Sequence, residues 1–300
     1  MTARPAWLAQ PERGSVRLMR AITNIALKVG RPVGRVLLYP ICAYFVVFSR
    51  SARAASRDYL TRVQGRRPRW RDVFRHYHCF SATILDRVFL LSDRFEHFDY
   101  QIEGLDELLA TIAGGRGCLL FGAHFGSFEV LRVMGHARAP VRVRILMHED
   151  NAQKLNSVLA ALNPEAMQDV ITLGRPQTML EVREAVESGQ IVGLLADRVV
   201  AGDRLVNCDF LGAAAPFPEG PFVLASLLKV PVLLFSAVCQ GDGRYRIRIE
   251  PFVAAGGTPR DRAAIAGSCQ RYARWLEANC RADPLNWFNF YDFWALGRGA

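Results

Sequence analysis

Gly117-Cys118-Leu119-Leu120-Phe121-Gly122-Ala123-His124-Phe125-Gly126-Ser127-Phe128-Glu129-Val130 begins as an apolar run, breaks at small residues around a histidine, and resumes with a carboxylate. The apolar run predicts a buried strand. The second half predicts a helix with Ser127 at its N-cap. His124 and Glu129 stand five positions apart. On one unbroken helix that is about 500° of rotation, so the two side chains would diverge by about 140°. They meet only if the chain turns between them, and Gly126 permits the turn. A carboxylate at the helix start would then hold one imidazole nitrogen while the other faces a substrate, which is an oriented general base. The plainer alternative is a histidine at a strand end and a solvated first-turn acid favoured by the helix dipole. The strand, turn and helix context favours a site, because α/β sheets present reactive groups at the carboxyl ends of their strands.

Outward from this stretch, strand-like and helix-like segments alternate. Strands are expected at 98–103, 117–123, 141–147, 170–173, 190–196, 205–210, 231–239 and 244–250. Helices are expected near 104–113, 128–136, 151–162, 177–188, 219–229 and 260–281. The pattern predicts an α/β fold with a mostly parallel central sheet flanked by helices. It ends in an antiparallel pair turning at Gly241-Asp242-Gly243. Gly114-Gly115-Arg116-Gly117 is a turn without the Lys-Ser/Thr of a P-loop, and no G-x-S-x-G elbow occurs. A second candidate for the site is Ala196-Asp197-Arg198, at the end of the apolar strand 190–196. Arg198 suits bidentate pairing with a phosphate or carboxylate, or an internal ion pair with Asp197.

His124-x4-Glu129 resembles the H-x4-D/E signature of the lysophospholipid and glycerolipid acyltransferase superfamily. Its surroundings are most similar to the bacterial branch that contains the late acyltransferases of lipid A biosynthesis. The likeness runs from about residue 15 to about 294. It is strongest at His124–Glu129, at Ala196-Asp197-Arg198, and from Asp209-Phe210-Leu211-Gly212 to Gly220. The resemblance implies that His124 activates an acceptor hydroxyl, that Glu129 orients it, and that an acyl thioester is the donor. Acyl carrier protein or coenzyme A would carry the acyl chain, and a lipid or glycolipid would accept it. Asp197 and Arg198 would line a substrate pocket, with backbone N–H groups near Ser127 helping to hold the oxyanion. No metal and no bound organic cofactor is implied, because the thioester is already activated. Phe217-Pro218-Glu219-Gly220 resembles the F-P-E-G-T-R motif of the glycerolipid branch, but Pro221 and Phe222 replace its Thr and Arg. That change argues against glycerol 3-phosphate as acceptor. Phe210, Leu211, Phe217, Phe222 and Leu224 fit either an acyl groove or plain core.

The chain has 300 residues, 51% of them hydrophobic, and a formal charge of +10. Such a composition excludes a disordered protein and allows a large core. Residues 1–75 hold 16 basic residues against three acids, Glu12, Asp58 and Asp72, so the N-terminus carries the whole positive excess. A charge bias of this kind attracts phosphate, on nucleic acid or on an anionic membrane. Residues 1–14 are polar and expected to be loose, and residues 15–30 form a basic amphipathic helix around Leu18, Ile22, Ile25 and Val29. The thirteen residues 36–48, VLLYPICAYFVVF, are the most apolar run. That is short of the roughly 20 needed to span a bilayer. Extending the run backward brings in Lys28, Arg31 and Arg35, which are costly at membrane depth. The expectation is a helix embedded in, or shallowly crossing, the cytoplasmic leaflet, and the alternative is a buried core helix. An arginine-rich segment follows, broken at Gly65 and Pro68, and then an amphipathic helix over Trp70–Leu91. No zinc finger, recognition helix or RNP motif supports nucleic-acid binding. Residues 1–70 are therefore expected to be a membrane-associated helical segment and 71–300 the acyltransferase domain, working at the cytoplasmic face of a bacterial inner membrane.

Seven scattered cysteines without metal-ligand spacing fit a reducing compartment. His76-Tyr77-His78-Cys79 is the one His/Cys cluster, and His76 and His78 diverge on a helix, which argues against a metal site. Trp287–Trp294 carries six aromatics in eight residues, a pattern suited to a membrane interface or to a core. Two other classes remain beside the enzyme: a non-catalytic lipid-binding protein of the same fold, against which the intact His124 and Glu129 count, and a nucleic-acid binder, which rests on charge alone.

Overall fold

The computed structural model describes residues 16–131, 142–148, 162–163, 169–200, 202–253, 258 and 261–295. The helix expected near 151–162 and most of that at 128–136 lie outside the described residues, as does the tail before residue 16.

Four helices come first: α1 (Val16–Val29), α2 (Arg31–Phe48), α3 (Arg50–Gln64) and α4 (Trp70–Leu91). The expected break between α3 and α4 is present, with Gly65 in the left-handed region ending α3. Asp72 accepts a hydrogen bond from the Arg69 backbone N–H and starts α4. Then follow β1 (Asp99–Glu103), α5 (Leu105–Ala113), β2 (Cys118–Gly122), β3 (Val143–His148), β4 (Val170–Leu173), α6 (Thr178–Glu187) and β5 (Ile191–Leu195). The chain continues through β6 (Leu205–Phe210), β7 (Ala213–Pro218), α7 (Gly220–Leu228), β8 (Val232–Gly241), β9 (Arg244–Pro251) and α8 (Arg262–Ala282). Seven strands form one sheet in the order β1-β9-β8-β2-β5-β3-β4. Every pairing in it is parallel except β8 with β9, as the sequence pattern implies. All five residues of β2 are buried at the middle of that sheet, which explains its unbroken apolar run.

The hairpin β6–β7 departs from expectation, since only its first strand was legible. Ala213–Pro218 has neither apolar alternation nor β-branched residues. The turn is Leu211-Gly212 with both φ positive, 49° and 78°, a geometry normally announced by Asn-Gly. Phe210, Leu211, Phe217, Phe222 and Leu224 are all buried core residues, so the plain-core alternative holds for them.

Helix α2 is long and apolar enough to cross a membrane by length and composition. Its arginines, costly at membrane depth, turn inward. Arg31 is buried and grips Asp86 of α4 with two bonds, Nε–Oδ1 at 2.7 Å and Nη2–Oδ2 at 3.1 Å. The Tyr245 hydroxyl donates to the same Oδ2 at 2.8 Å. Arg35 approaches Asp242 at 4.0 Å. Arg53 donates to the carbonyls of Val46 and Val47 and closes the end of α2. The opposite face leaves Val33, Val36, Leu37, Tyr39, Tyr44, Val47 and Phe48 exposed. One side of α2 therefore belongs to the same core as the sheet, and the other is apolar and bare.

Asp86→Ala leaves the buried Arg31 guanidinium without its carboxylate. The expected cost is about 3–5 kcal/mol of stability. A urea titration checks it, and a loss under about 1 kcal/mol would show that the pair is not what fastens α2.

Candidate active site

His124 sits two residues beyond β2, and Asp197 two residues beyond β5. These strands are parallel neighbours with Gly122 opposite Leu195, so the ladder itself carries the imidazole to the carboxylate. His124 Nδ1 lies 2.8 Å from Asp197 Oδ1. The His124 backbone N–H also donates to both carboxylate oxygens, at 3.1 Å each. A carboxylate partner makes Nδ1 the protonated nitrogen and leaves Nε2 with its lone pair. Nε2 has no hydrogen-bond partner among the described residues, and the ring keeps 17% exposure.

The contact expected between His124 and Glu129 is not formed. Glu129 lies on a 3₁₀ turn, Phe128–Val130, and pairs with Arg87 of α4. The backbone does turn at Gly126, whose φ is +69°, but the turn serves a different end. A Cβ there would lie 1.8 Å from the Ala237 carbonyl oxygen, so glycine is required for the loop to dock on β8. That docking directs Glu129 to α4. Gly193 likewise leaves room for the Phe128 ring, whose Cζ would stand 2.5 Å from an added Cβ.

Ser127 is not the helix cap expected of it. Its hydroxyl is buried with no hydrogen-bond partner among the described residues, and its backbone N–H donates to Ala237 O at 2.9 Å. The Gly126 N–H donates to Asn286 O at 2.8 Å. These two of the backbone N–H groups near Ser127 are thus already committed.

Among the described residues the expected ion pair of Arg198 with Asp197 is not formed. Its Nε donates to Asn289 Oδ1 at 2.7 Å and its Nη2 to Phe288 O at 3.0 Å. The guanidinium also lies 5.8 Å from the centre of the Tyr291 ring. The aromatic tail is therefore core, not interface: Trp287, Phe288, Phe293 and Trp294 are all buried. Trp287 Nε1 and Asn289 Nδ2 donate to Asp197 Oδ2 at 3.1 and 3.0 Å. These two residues were missed from the sequence, because nothing local marks a buried amide as belonging to a site 92 residues away.

Burial alone would raise the Asp197 pKa, but the His124 ring, Arg198 and the Asn289 amide overcome it and hold it at about 2. Burial lowers the His124 pKa below its ordinary 6.5, and the positive charges of Arg198 and Arg87 add to that against the pull of Asp197. The neutral imidazole and the ionised carboxylate are therefore the stable pair near neutrality. Among the described residues no group of His, Cys, Asp and Glu has the arrangement of a metal site. His76 is occupied structurally: its Nδ1 accepts from the Ser56 hydroxyl, and its Nε2 donates to Trp287 O, each at 2.8 Å.

Residues 82–295 match the family described as bacterial lipid A biosynthesis acyltransferase. The chain belongs to that family. It is also similar to the phosphatidylinositol mannoside acyltransferases of two strains of Mycobacterium tuberculosis, with 27% identity over 232 residues in each case. The matched region is 75% of this chain and 66% of those relatives.

Burial pulls the His76 pKa down from 6.5 to about 4, against the hydrogen bond to Trp287. A folded value below the unfolded one gives stability that is complete above about pH 6.5 and is lost as pH falls toward 4. The gap corresponds to roughly 3 kcal/mol. Urea midpoints at pH 7 and pH 4.5 should therefore converge in His76→Gln relative to wild type. Equal pH sensitivity in both proteins would remove His76 as the source.

Proposed function

We propose that this protein is a membrane-associated O-acyltransferase that moves a fatty acyl group from a thioester to a hydroxyl of a lipid or glycolipid. The single observation that carries the reading is the His124–Asp197 pair at the carboxyl ends of two neighbouring parallel strands, with Nε2 unengaged among the described residues. The acceptor oxygen attacks the thioester carbonyl carbon while its proton passes to His124 Nε2. Asp197 holds the ring through Nδ1 and balances the imidazolium that forms. As the carbon–sulfur bond breaks, the imidazolium returns the proton to the departing thiolate, leaving an ester and a free thiol. Positive charge for the oxyanion comes from Arg198 and Arg87, since the Gly126 and Ser127 N–H groups are used elsewhere. Glu129 acts at one remove, by fixing Arg87. The donor is acyl carrier protein or coenzyme A thioester. Loss of the glycerolipid-type arginine at Phe222 and likeness to glycolipid enzymes favour a glycolipid acceptor.

The membrane side is α2 with its basic neighbours. The exposed apolar face is bordered by exposed Arg20, Lys28, Arg50 and Arg57, which suit an anionic leaflet. Because α4 covers the other face of α2 and Asp86 holds Arg31, the helix lies in one leaflet rather than crossing. Seven free cysteines fit a site at the cytoplasmic face of a bacterial inner membrane.

With palmitoyl-coenzyme A as donor and dodecyl maltoside as a hydroxyl-bearing acceptor, His124→Ala and Asp197→Asn should each lower kcat by about 10² to 10⁴. Glu129→Gln should cost less than either. The double variant of His124 and Asp197 should lose far less than the product of the single losses. Since the base works unprotonated and titrates below 6.5, the acid limb of kcat/KM should fall below pH 6.5. Full activity in His124→Ala would leave the lipid-binding alternative in its place.

The lie of α2 is testable separately. Its 18 residues span about 27 Å as a helix. Spin labels at Val33→Cys, Leu37→Cys, Tyr44→Cys and Phe48→Cys on phosphatidylglycerol vesicles should report one shallow depth. A depth graded from 33 to 48 would mean that the helix crosses.

A further inference from the structure

Four consecutive residues, Asn286 to Asn289, form a strap along the loop that carries His124. Asn286 clamps the Cys239 backbone with both ends of its amide, at 2.9 and 3.3 Å, and its carbonyl takes the Gly126 N–H. Trp287 bridges Phe125, and the Phe288 N–H donates to His124 O at 2.7 Å. The strap therefore follows the loop that carries the base residue by residue. Its last member does something different. Asn289, 1% exposed, sits between adjacent residues of opposite charge. Its Nδ2 donates to Asp197 Oδ2 at 3.0 Å, and its Oδ1 accepts from Arg198 Nε at 2.7 Å.

A primary amide is neutral and carries a donor and an acceptor in one plane, so it can donate to an anion and accept from a cation at the same time. Flipped, it would set NH₂ against guanidinium and oxygen against carboxylate, so its orientation is fixed by its partners. Aspartate would have an acceptor facing Asp197, leucine would offer neither group, and glutamine would reach one methylene further. Together with the Trp287 indole, Asn289 takes up the Asp197 oxygen that His124 Nδ1 does not use.

We infer that Asn289 is a positioning residue, whose amide sets the Asp197 carboxylate beneath the base and holds the Arg198 guanidinium beside it. The inference rests on the His124–Asp197 reading and adds a third member that touches neither the imidazole nor the reacting atoms. It also gives Arg198 a role: its direction into the site is set by the strap, so the distance between the proton acceptor and the positive charge is a property of residue 289.

The test reads the ring itself, and needs no knowledge of the natural acceptor. The charged and titratable groups packed about the pair are Arg87 from α4, Arg198 beyond β5, Tyr272 and Cys280 from α8, and Tyr291 in the tail. Of these Asn289 touches only Arg198. In Asn289→Leu, Asp197 loses a donor and Arg198 the bond at its Nε while keeping the one to Phe288 O, and both changes favour the protonated imidazole. With ¹³C-labelled histidine, the full-length protein in micelles shows six rings, and His124→Gln identifies the one in question. The His124 titration should rise in Asn289→Leu by about one pH unit. Turnover of palmitoyl-coenzyme A should fall about 10- to 100-fold in kcat rather than rise in KM.

Trp294→Phe is the control. It removes an equally buried indole donor from the same tail, one that bonds Phe210 O and not Asp197, and should leave the titration in place. An unshifted titration with wild-type kcat in folded Asn289→Leu overturns the proposal, as does an equal shift in Trp294→Phe. If Asn289→Leu does not fold, Trp287→Phe takes the same two measurements with the same criteria. Wild-type activity in Asp197→Asn would sink the dyad reading instead, whatever the Asn289 result.

Discussion

A carboxylate with no exposure, Asp197, is the constraint on which the site depends. Taking an ion of that kind out of water costs several kcal/mol, recovered only when its lone pairs are filled. Asp197 fills them from three directions: the His124 ring and backbone at the end of β2, and the Trp287 indole and Asn289 amide in the tail. None of the three can move without exposing the charge to an unpaired state. The rigidity of the base is therefore a by-product of solvating an acid with protein groups.

The N-terminal helices repeat the principle. Asp86 is also fully buried, and its oxygens are met by Arg31 from α2 and Tyr245 from β9. The next residue, Arg87, pairs with Glu129 beside the active site. Two consecutive positions on α4 thus face α2 and the segment that follows His124. Whatever sets the position of α2 is one helical step from the residue that supplies positive charge to the imidazole.

Much of the architecture was legible because the sheet is buried and parallel. Strands such as Ile191–Leu195 show as plain apolar runs, and the boundaries of α4 were readable from its amphipathic period. The hairpin turn at Leu211-Gly212 was not, because tertiary packing holds Leu211 in a conformation its side chain disfavours. His124 stood out in the sequence with Glu129 as its expected partner, whereas the fold sets its ring against Asp197. The signal existed. Gly122-Ala123-His124 and Leu195-Ala196-Asp197 end two apolar strands alike, and aligning those strands as parallel neighbours sets His124 opposite Asp197. The short spacing to Glu129 drew attention to a local pair, whereas the sheet joined residues 73 apart. The role of the tail had no such signal, since aromatic residues suit a core and a bilayer surface equally.

The same separations bear on the order in which the molecule is made. The hydrogen bonds about Asp197 close loops of 73, 90 and 92 residues, and non-local contacts of this kind are slow to be gained. A nascent chain that has emerged only as far as α8 has its central sheet but lacks the two donors that neutralise the cost of burying Asp197. Until the strap arrives, that carboxylate is better off in water, and the His124 loop is held by its docking on β8 without the bonds from Asn286 and Phe288. The surroundings of the His124–Asp197 pair are then completed only once residues 287–289 have been made, long after α1 and α2.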